Sequence, residues 1–180
     1  MKPKVYIDGK EGTTGLQIYD RLTPRTDIEL LLIDEDKRKD TEARREIMNS
    51  VDIVFLCLPD AAAREAVTLI ENPAVRVLDT STAHRTNPAW AYGFPELSAA
   101  HEAKIKASKR IANPGCHASG FISLVYPLIE AGAERMAELG KEAQEAGYVL
   151  GDEALNAYGA LDDQLQYLSV GATAAKNALG

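Results

Sequence analysis

In NPGCHASGF, residues 113–121, a cysteine stands directly behind a proline-glycine turn and ahead of an apolar run that reads as a helix. Asn-Pro-Gly forces the turn, because Pro fixes φ and Gly admits a positive φ. Cys116 then falls in the first turn of the helix HASGFISLVYPLIE, where Pro127 is placed to bend it. A thiol there feels the positive end of the helix dipole and nearby N–H donors, which lower its pKa and enrich the thiolate. The chemistry implied is nucleophilic: attack on an acyl group gives a thioester, and a thioester can receive hydride. The plain alternative is a small buried cysteine. His117 is adjacent in sequence, but neighbours on a helix point apart, so it is not read as the base.

Further upstream, DGKEGTTG sets Gly9, Gly12 and Gly15 at a G-x-x-G-x-x-G spacing between a strand signal and a helix signal. Glycines let the backbone approach a pyrophosphate, whose charge meets free N–H groups at the helix N-terminus. In LLIDEDKRKD, Asp34 is suited to a ribose hydroxyl, while Lys37 and Arg38 are suited to a 2′-phosphate. Spacing alone leaves NAD and NADP both open. CLPD puts Leu58 and Pro59 at the carboxyl end of a central strand, the edge where α/β sheets hold ligands. Cys57, inside VFLCLP, reads as an inert buried thiol whose pKa burial raises. DTSTAHRT brings Ser81, Thr82, His84 and Arg85 to the same edge, with Arg85 a planar fork for phosphate or carboxylate. No metal site is read in the sequence.

The elements that must position these groups alternate along residues 1–132. Short segments rich in Val, Ile and Leu at 4–8, 29–33, 52–58, 76–79 and 109–112 read as buried parallel strands. Helix-like segments at 14–22, 41–49, 60–70 and 98–108 lie between them. The order predicts an α/β fold, a doubly wound (Rossmann-like), mostly parallel sheet. Residues 133–180 change character, holding 8 Asp/Glu against 3 Lys/Arg. Their apolar positions from Leu155 to Leu179 step by three or four, and Asp152 is a candidate cap, which predicts an acidic C-terminal helical hairpin turning near Gly147–Gly151.

The chain has 180 residues and a formal net charge of −7, which argues against a nucleic-acid or anionic-membrane surface. No apolar run reaches the roughly 18 residues of a membrane span. MKPKVYIDGK enters a strand-like segment without the apolar core of a signal peptide, so the expected location is cytoplasmic. Two cysteines in a chain of this size are read as thiols rather than as a disulfide framework.

Taken in order, DGKEGTTGLQI, DKRKD, CLPDAAAREAV, DTSTAHRT, YGFPEL and RIANPGCHASGF closely resemble N-acetyl-gamma-glutamyl-phosphate reductases in their shorter bacterial form, over about residues 3–132. The resemblance implies an NADP-dependent reductive dephosphorylation in arginine biosynthesis, with a small-molecule acyl phosphate as substrate. Cys116 matches the family's nucleophile, and Gly12, Thr13, Thr14 and Gly15 match its dinucleotide loop, with Lys37 and Arg38 as candidates for the 2′-phosphate. Ser81, His84, Arg85 and Asn113 match motifs lining the active cleft, and Arg85 and Ser81 are assigned to substrate or phosphate. Family members continue past the cysteine helix into an α+β domain that supplies a histidine acid/base and much of the oligomer contact. Here the acidic segment 133–180 stands in that place, and no histidine follows His117. The resemblance therefore implies a rate lowered by the roughly 10²- to 10⁴-fold that an acid/base supplies, and it leaves homo-oligomerisation open. The rival expectation is a non-catalytic NADP-binding module with a helical tail for stability or assembly. Aspartate-semialdehyde dehydrogenase, which shares the glycine pattern and the cysteine, is the weaker enzymatic alternative.

Overall fold

A computed structural model describes residues 2–145. The chain divides into two compact units, residues 1–115 and 116–180. In the first unit the strands are β1 (Lys4–Asp8), β2 (Glu29–Leu31), β3 (Ile53–Leu56), β4 (Arg76–Asp79), β5 (Ala91–Tyr92) and β6 (Arg110–Ala112). The helices are α1 (Thr13–Leu22), α2 (Thr41–Ser50), α3 (Asp60–Leu69) and α4 (Ala99–Ala107). They build a six-stranded sheet in the order β2-β1-β3-β4-β6-β5, and all of its pairings are parallel. The chain leaves β1 to one side for β2 and returns to the other side for β3. That reversal makes the carboxyl ends of β1 and β3 the topological switch point, where such sheets open a crevice for ligands.

The expected doubly wound α/β sheet is therefore present, with two refinements. The strands at 29–33, 52–58 and 109–112 are shorter than expected, and β5 was not anticipated. Along β3 and β4 the side chains alternate, so Val54, Leu56 and Val77 face one side and Phe55 and Leu78 the other. The first set packs with Tyr6, Met48 of α2, Ala66 and Leu69 of α3, and Trp90 into the hydrophobic core. Asp40 caps α2, its carboxylate accepting the N–H groups of Glu42 at 2.9 Å and Ala43 at 3.0 Å, which ends the charged loop 34–40 at a fixed point.

The second unit begins with a single helix, α5 (Cys116–Glu145), which carries Pro127 in its interior and continues past Gly132. Helix therefore extends beyond the expected cysteine helix and into the acidic segment. The proposed hairpin turn at Gly147–Gly151 and the apolar positions Leu155 to Leu179 lie outside the described residues.

Candidate active site

The crevice at the switch point has a volume of about 400 Å³ and is lined by the end of β1, the loop 9–11, the loop after β2, and α2 and α3. Its turn is forced by Gly9, at φ 84°, where a Cβ would stand 2.3 Å from the Cys57 carbonyl oxygen. No other residue fits so close an approach of the β1 and β3 ends. Gly15 lets α1 settle on that turn, since a Cβ there would meet the Gly9 oxygen at 2.2 Å. Gly12 differs: its nearest neighbour would be 3.5 Å away and its φ of −73° is ordinary. The protein's own packing does not demand glycine at 12, so the open space before α1 is left for something else. Gly12 is the N-cap of α1 with no side-chain cap, and Gly12, Thr13 and Thr14 are exposed. The uncapped first-turn N–H groups and the absent Cβ fit a pyrophosphate.

Cations gather on the crevice. Arg38 and Lys39 line it, as does Lys10, and Arg38 reaches across to Glu11 at 3.8 Å. Lys37, expected at the 2′-phosphate, instead pairs with Asp34 at 3.7 Å and is not among the lining residues. The reason is the loop's own turns, with Lys37 N–H on the Asp34 carbonyl and Asp40 N–H on the Lys37 carbonyl, which separate neighbours of the run DKRKD. Leu58 lines the crevice and Pro59 is the N-cap of α3. Deeper in, buried Arg44 donates to Asp8 Oδ2 at 2.8 Å and lies 3.6 Å from Glu65. Burial raises the Asp8 carboxyl above its ordinary value, opposed by Arg44. Burial, reinforced by the Asp8 charge, likewise pushes up the Tyr6 phenol, whose hydroxyl is 3.5 Å from Asp8. Nothing local in the sequence announces the Asp8–Arg44 pair, because its members are 36 residues apart.

The loop after β4 forms a second cluster. Asp79 is fully buried, and its Oδ1 accepts the Ser81 N–H at 2.9 Å. Its Oδ2 takes the Ser81 hydroxyl at 2.7 Å and meets His84 Nδ1 at 2.6 Å. The His84 ring stacks on Trp90, centroids 4.1 Å apart and planes 9° off parallel. Ser81 and His84, assigned to the substrate side by resemblance, are thus turned inward and buried. Asp60, at the start of α3, accepts the Thr82 N–H at 2.9 Å and the Thr82 hydroxyl, and that hydroxyl lowers the Asp60 pKa. Arg85 Nε donates to the Asn113 carbonyl at 2.9 Å and Nη2 to the Thr80 carbonyl at 2.9 Å. Asn113 uses its side-chain amide locally, on the Pro114 carbonyl at 3.1 Å, and its N–H on the Asp79 carbonyl at 2.7 Å.

Cys116 is the first residue of α5 and is exposed. His117 does not diverge from it as expected: Nδ1 lies 3.6 Å from the Cys116 sulfur. In a first turn the imidazole is free to lean back over the preceding residue. Cys57 is half-buried and its thiol is pushed up to about 11, chiefly by burial. Because a raised pKa keeps the thiol protonated, iodoacetamide at pH 8 is expected to label Cys116 and spare Cys57 in the native chain. Peptide mass mapping checks this, and equal labelling of both would contradict it.

A parallel sheet with a glycine-rich first turn and a cation-lined crevice at its switch point defines a dinucleotide-binding α/β domain. The family model for the semialdehyde dehydrogenase NAD binding domain matches residues 4–105, and the chain belongs to that family. It is 56% identical over 130 residues to an N-acetyl-gamma-glutamyl-phosphate reductase of Burkholderia orbicola (strain MC0-3), covering 72% of this chain and 42% of that protein. A reductase of the same name from Trichormus variabilis (strain ATCC 29413 / PCC 7937) is 54% identical over 131 residues, 73% of this chain and 41% of the relative. The chain thus spans well under half the length of the relatives it matches. Among solved structures, aspartate semialdehyde dehydrogenase II from Vibrio cholerae, complexed with ASA, shares the fold at TM-score 0.53 and 18% identity, over 73% of this chain and 47% of that one. The fold is accordingly that of a nicotinamide-dinucleotide-binding domain. Among the described residues no helix is long and apolar enough to cross a membrane.

Proposed function

We propose that the chain carries the dinucleotide site and the nucleophile of an NADP-dependent N-acetyl-gamma-glutamyl-phosphate reductase. The observation that carries this reading is the exposed Cys116 opening α5 directly behind Asn113, Pro114 and Gly115, in a chain 56% identical over 130 residues to a reductase of that name. The Cys116 sulfur stands at the first residue of α5, and His117 Nδ1, 3.6 Å away, is within reach of the thiol proton. The sulfur bonds to the acyl carbon of N-acetyl-glutamyl phosphate, the carbon–oxygen bond to the phosphoryl group breaks, and inorganic phosphate leaves. When bound, NADPH supplies hydride to the thioester carbon, after which the carbon–sulfur bond breaks and N-acetyl-glutamate semialdehyde departs. The thiolate is restored. Ser81 and His84 serve this site by fixing the loop 80–85 through Asp79.

Thr13, Thr14 and Gly15 N–H groups would hold the dinucleotide's pyrophosphate, in the space that Gly12 leaves open. Arg38 and Lys39 would hold its 2′-phosphate, with Lys37 engaged by Asp34. Charge-assisted contacts of this kind are worth roughly ten- to hundredfold in affinity. The double variant Arg38→Gln/Lys39→Gln is therefore expected to lose about that factor for NADPH and to bind NADH almost as before, read by fluorescence titration. An equal loss for both dinucleotides would remove the 2′-phosphate from this position.

A further inference from the structure

Arg85 was expected to be an anion clamp, yet its guanidinium is already engaged. A bidentate clamp offers two parallel N–H groups from one edge of the fork. The Nε and Nη2 edge of Arg85 instead holds two backbone carbonyls, Asn113 at 2.9 Å and Thr80 at 2.9 Å. Each carbonyl belongs to the first residue beyond a strand, Thr80 after β4 and Asn113 after β6, and those strands are neighbours in the sheet. The pairing there ends with the Asn113 N–H on the Asp79 carbonyl, so the guanidinium continues the join where the ladder stops. Its remaining nitrogen, Nη1, lies against Gly115, where an added Cβ would be only 2.7 Å away. The arm that delivers this group is fixed from behind, because His84 is locked between Asp79 and Trp90.

We propose that Arg85 is a positioning residue: it staples the loop after β4 to the segment Asn113–Gly115 and thereby fixes the chain one residue before the thiol at Cys116. The proposal rests on the reading of Cys116 as the nucleophile and assigns Arg85 a part other than binding the substrate's phosphate. It also gives a reason for glycine at 115, since any side chain would displace the guanidinium that lies there.

The test measures the rate at which iodoacetamide, a neutral probe that needs no anion site, alkylates Cys116 in the full chain, read on the Cys116 peptide. Arg85→Lys, which cannot reach both carbonyls with one ammonium, is expected to slow alkylation roughly two- to fivefold, the size of a lost helix-terminus contribution. Gly115→Ala, which acts on the tip of Arg85, is expected to slow it by a similar factor. The double variant is expected to show little further change, because both act through one contact. Far-ultraviolet circular dichroism and a thermal melt of each variant confirm that the first unit is folded, and Gly115→Ala carries the test if Arg85→Lys does not fold. Unchanged alkylation in both variants would overturn the proposal. So would protection of the wild type by inorganic phosphate that Arg85→Lys loses while its alkylation rate stays the same, the signature of a clamp. Alkylation needs neither dinucleotide nor acyl phosphate, so a failure of acyl transfer elsewhere leaves this result readable by itself.

Discussion

Cys116→Ala is expected to reduce NADPH oxidation driven by N-acetyl-glutamyl phosphate to the uncatalysed background while leaving NADPH affinity unchanged. Alanine keeps the helix start of α5 and removes only the sulfur that accepts the acyl group. Where a nucleophile forms the covalent intermediate, its loss removes nearly all of the rate, on the order of a millionfold in a well-studied hydrolase. The two halves of the expectation come from different parts of the chain. The switch-point crevice proposed for the dinucleotide is lined by β1, the loops after β1 and β2, α2 and α3, and the pyrophosphate is proposed at the start of α1; none of these contains Cys116. Residual cysteine-independent oxidation would assign the chemistry to another group, and loss of NADPH affinity would show that alanine had disturbed the first unit.

Asp79→Asn is expected to lower the stability of the first unit by roughly 1–3 kcal/mol, the cost of disturbing a buried hydrogen-bond network. The carboxylate is fully buried and accepts from the Ser81 N–H, the Ser81 hydroxyl and the His84 ring. An amide has one acceptor oxygen in place of two, and its NH₂ is met only if the His84 ring shifts to the tautomer with a bare Nδ1 or the Ser81 hydroxyl turns to accept. The network must therefore re-pair, and at 0% exposure water does not take up the groups left over. Ser81→Ala removes a single hydroxyl bond and is expected to cost only about 1 kcal/mol. Urea denaturation followed by circular dichroism compares the two. A loss below about 1 kcal/mol for Asp79→Asn would mean that the loop 80–85 does not depend on this carboxylate.

What could be read from the sequence was what short-range physics determines. The apolar run VYID of β1 and VLD of β4 sit at their expected bounds, because buried parallel strands are dense in branched and apolar residues and end at turn formers. The glycine loop and the cysteine at the start of α5 are likewise visible, since Gly9 acts on its own backbone; the turn expected at 113–115 does not form, and among the described glycines positive φ is found at Gly9 and not at Gly115. β5 was not visible: two residues, Ala91 and Tyr92, make no pattern, and they are a strand only through their register with Ile111 and Ala112. Lys39 was passed over for Lys37 because the turns within 34–40, not composition, decide which cation meets the crevice. The type of Arg85 was legible as a ligand for oxygen anions. Its partners are carbonyls because the sheet brings Thr80 and Asn113 together, a proximity 33 positions in the chain do not disclose. Helical spacing argues against His117 as a partner of the thiol, yet its Nδ1 lies 3.6 Å from the sulfur, since first-turn side chains are less confined than those inside a helix.

The measurement that bears most directly on the account is intact-protein and peptide mass analysis of the full chain after mixing with N-acetyl-glutamyl phosphate in the absence of dinucleotide. The expected result is an N-acetyl-glutamyl thioester confined to Cys116, one inorganic phosphate released for each adduct, and disappearance of the adduct when NADPH is added. Phosphate release without an adduct, or an adduct on a residue other than Cys116, would contradict it.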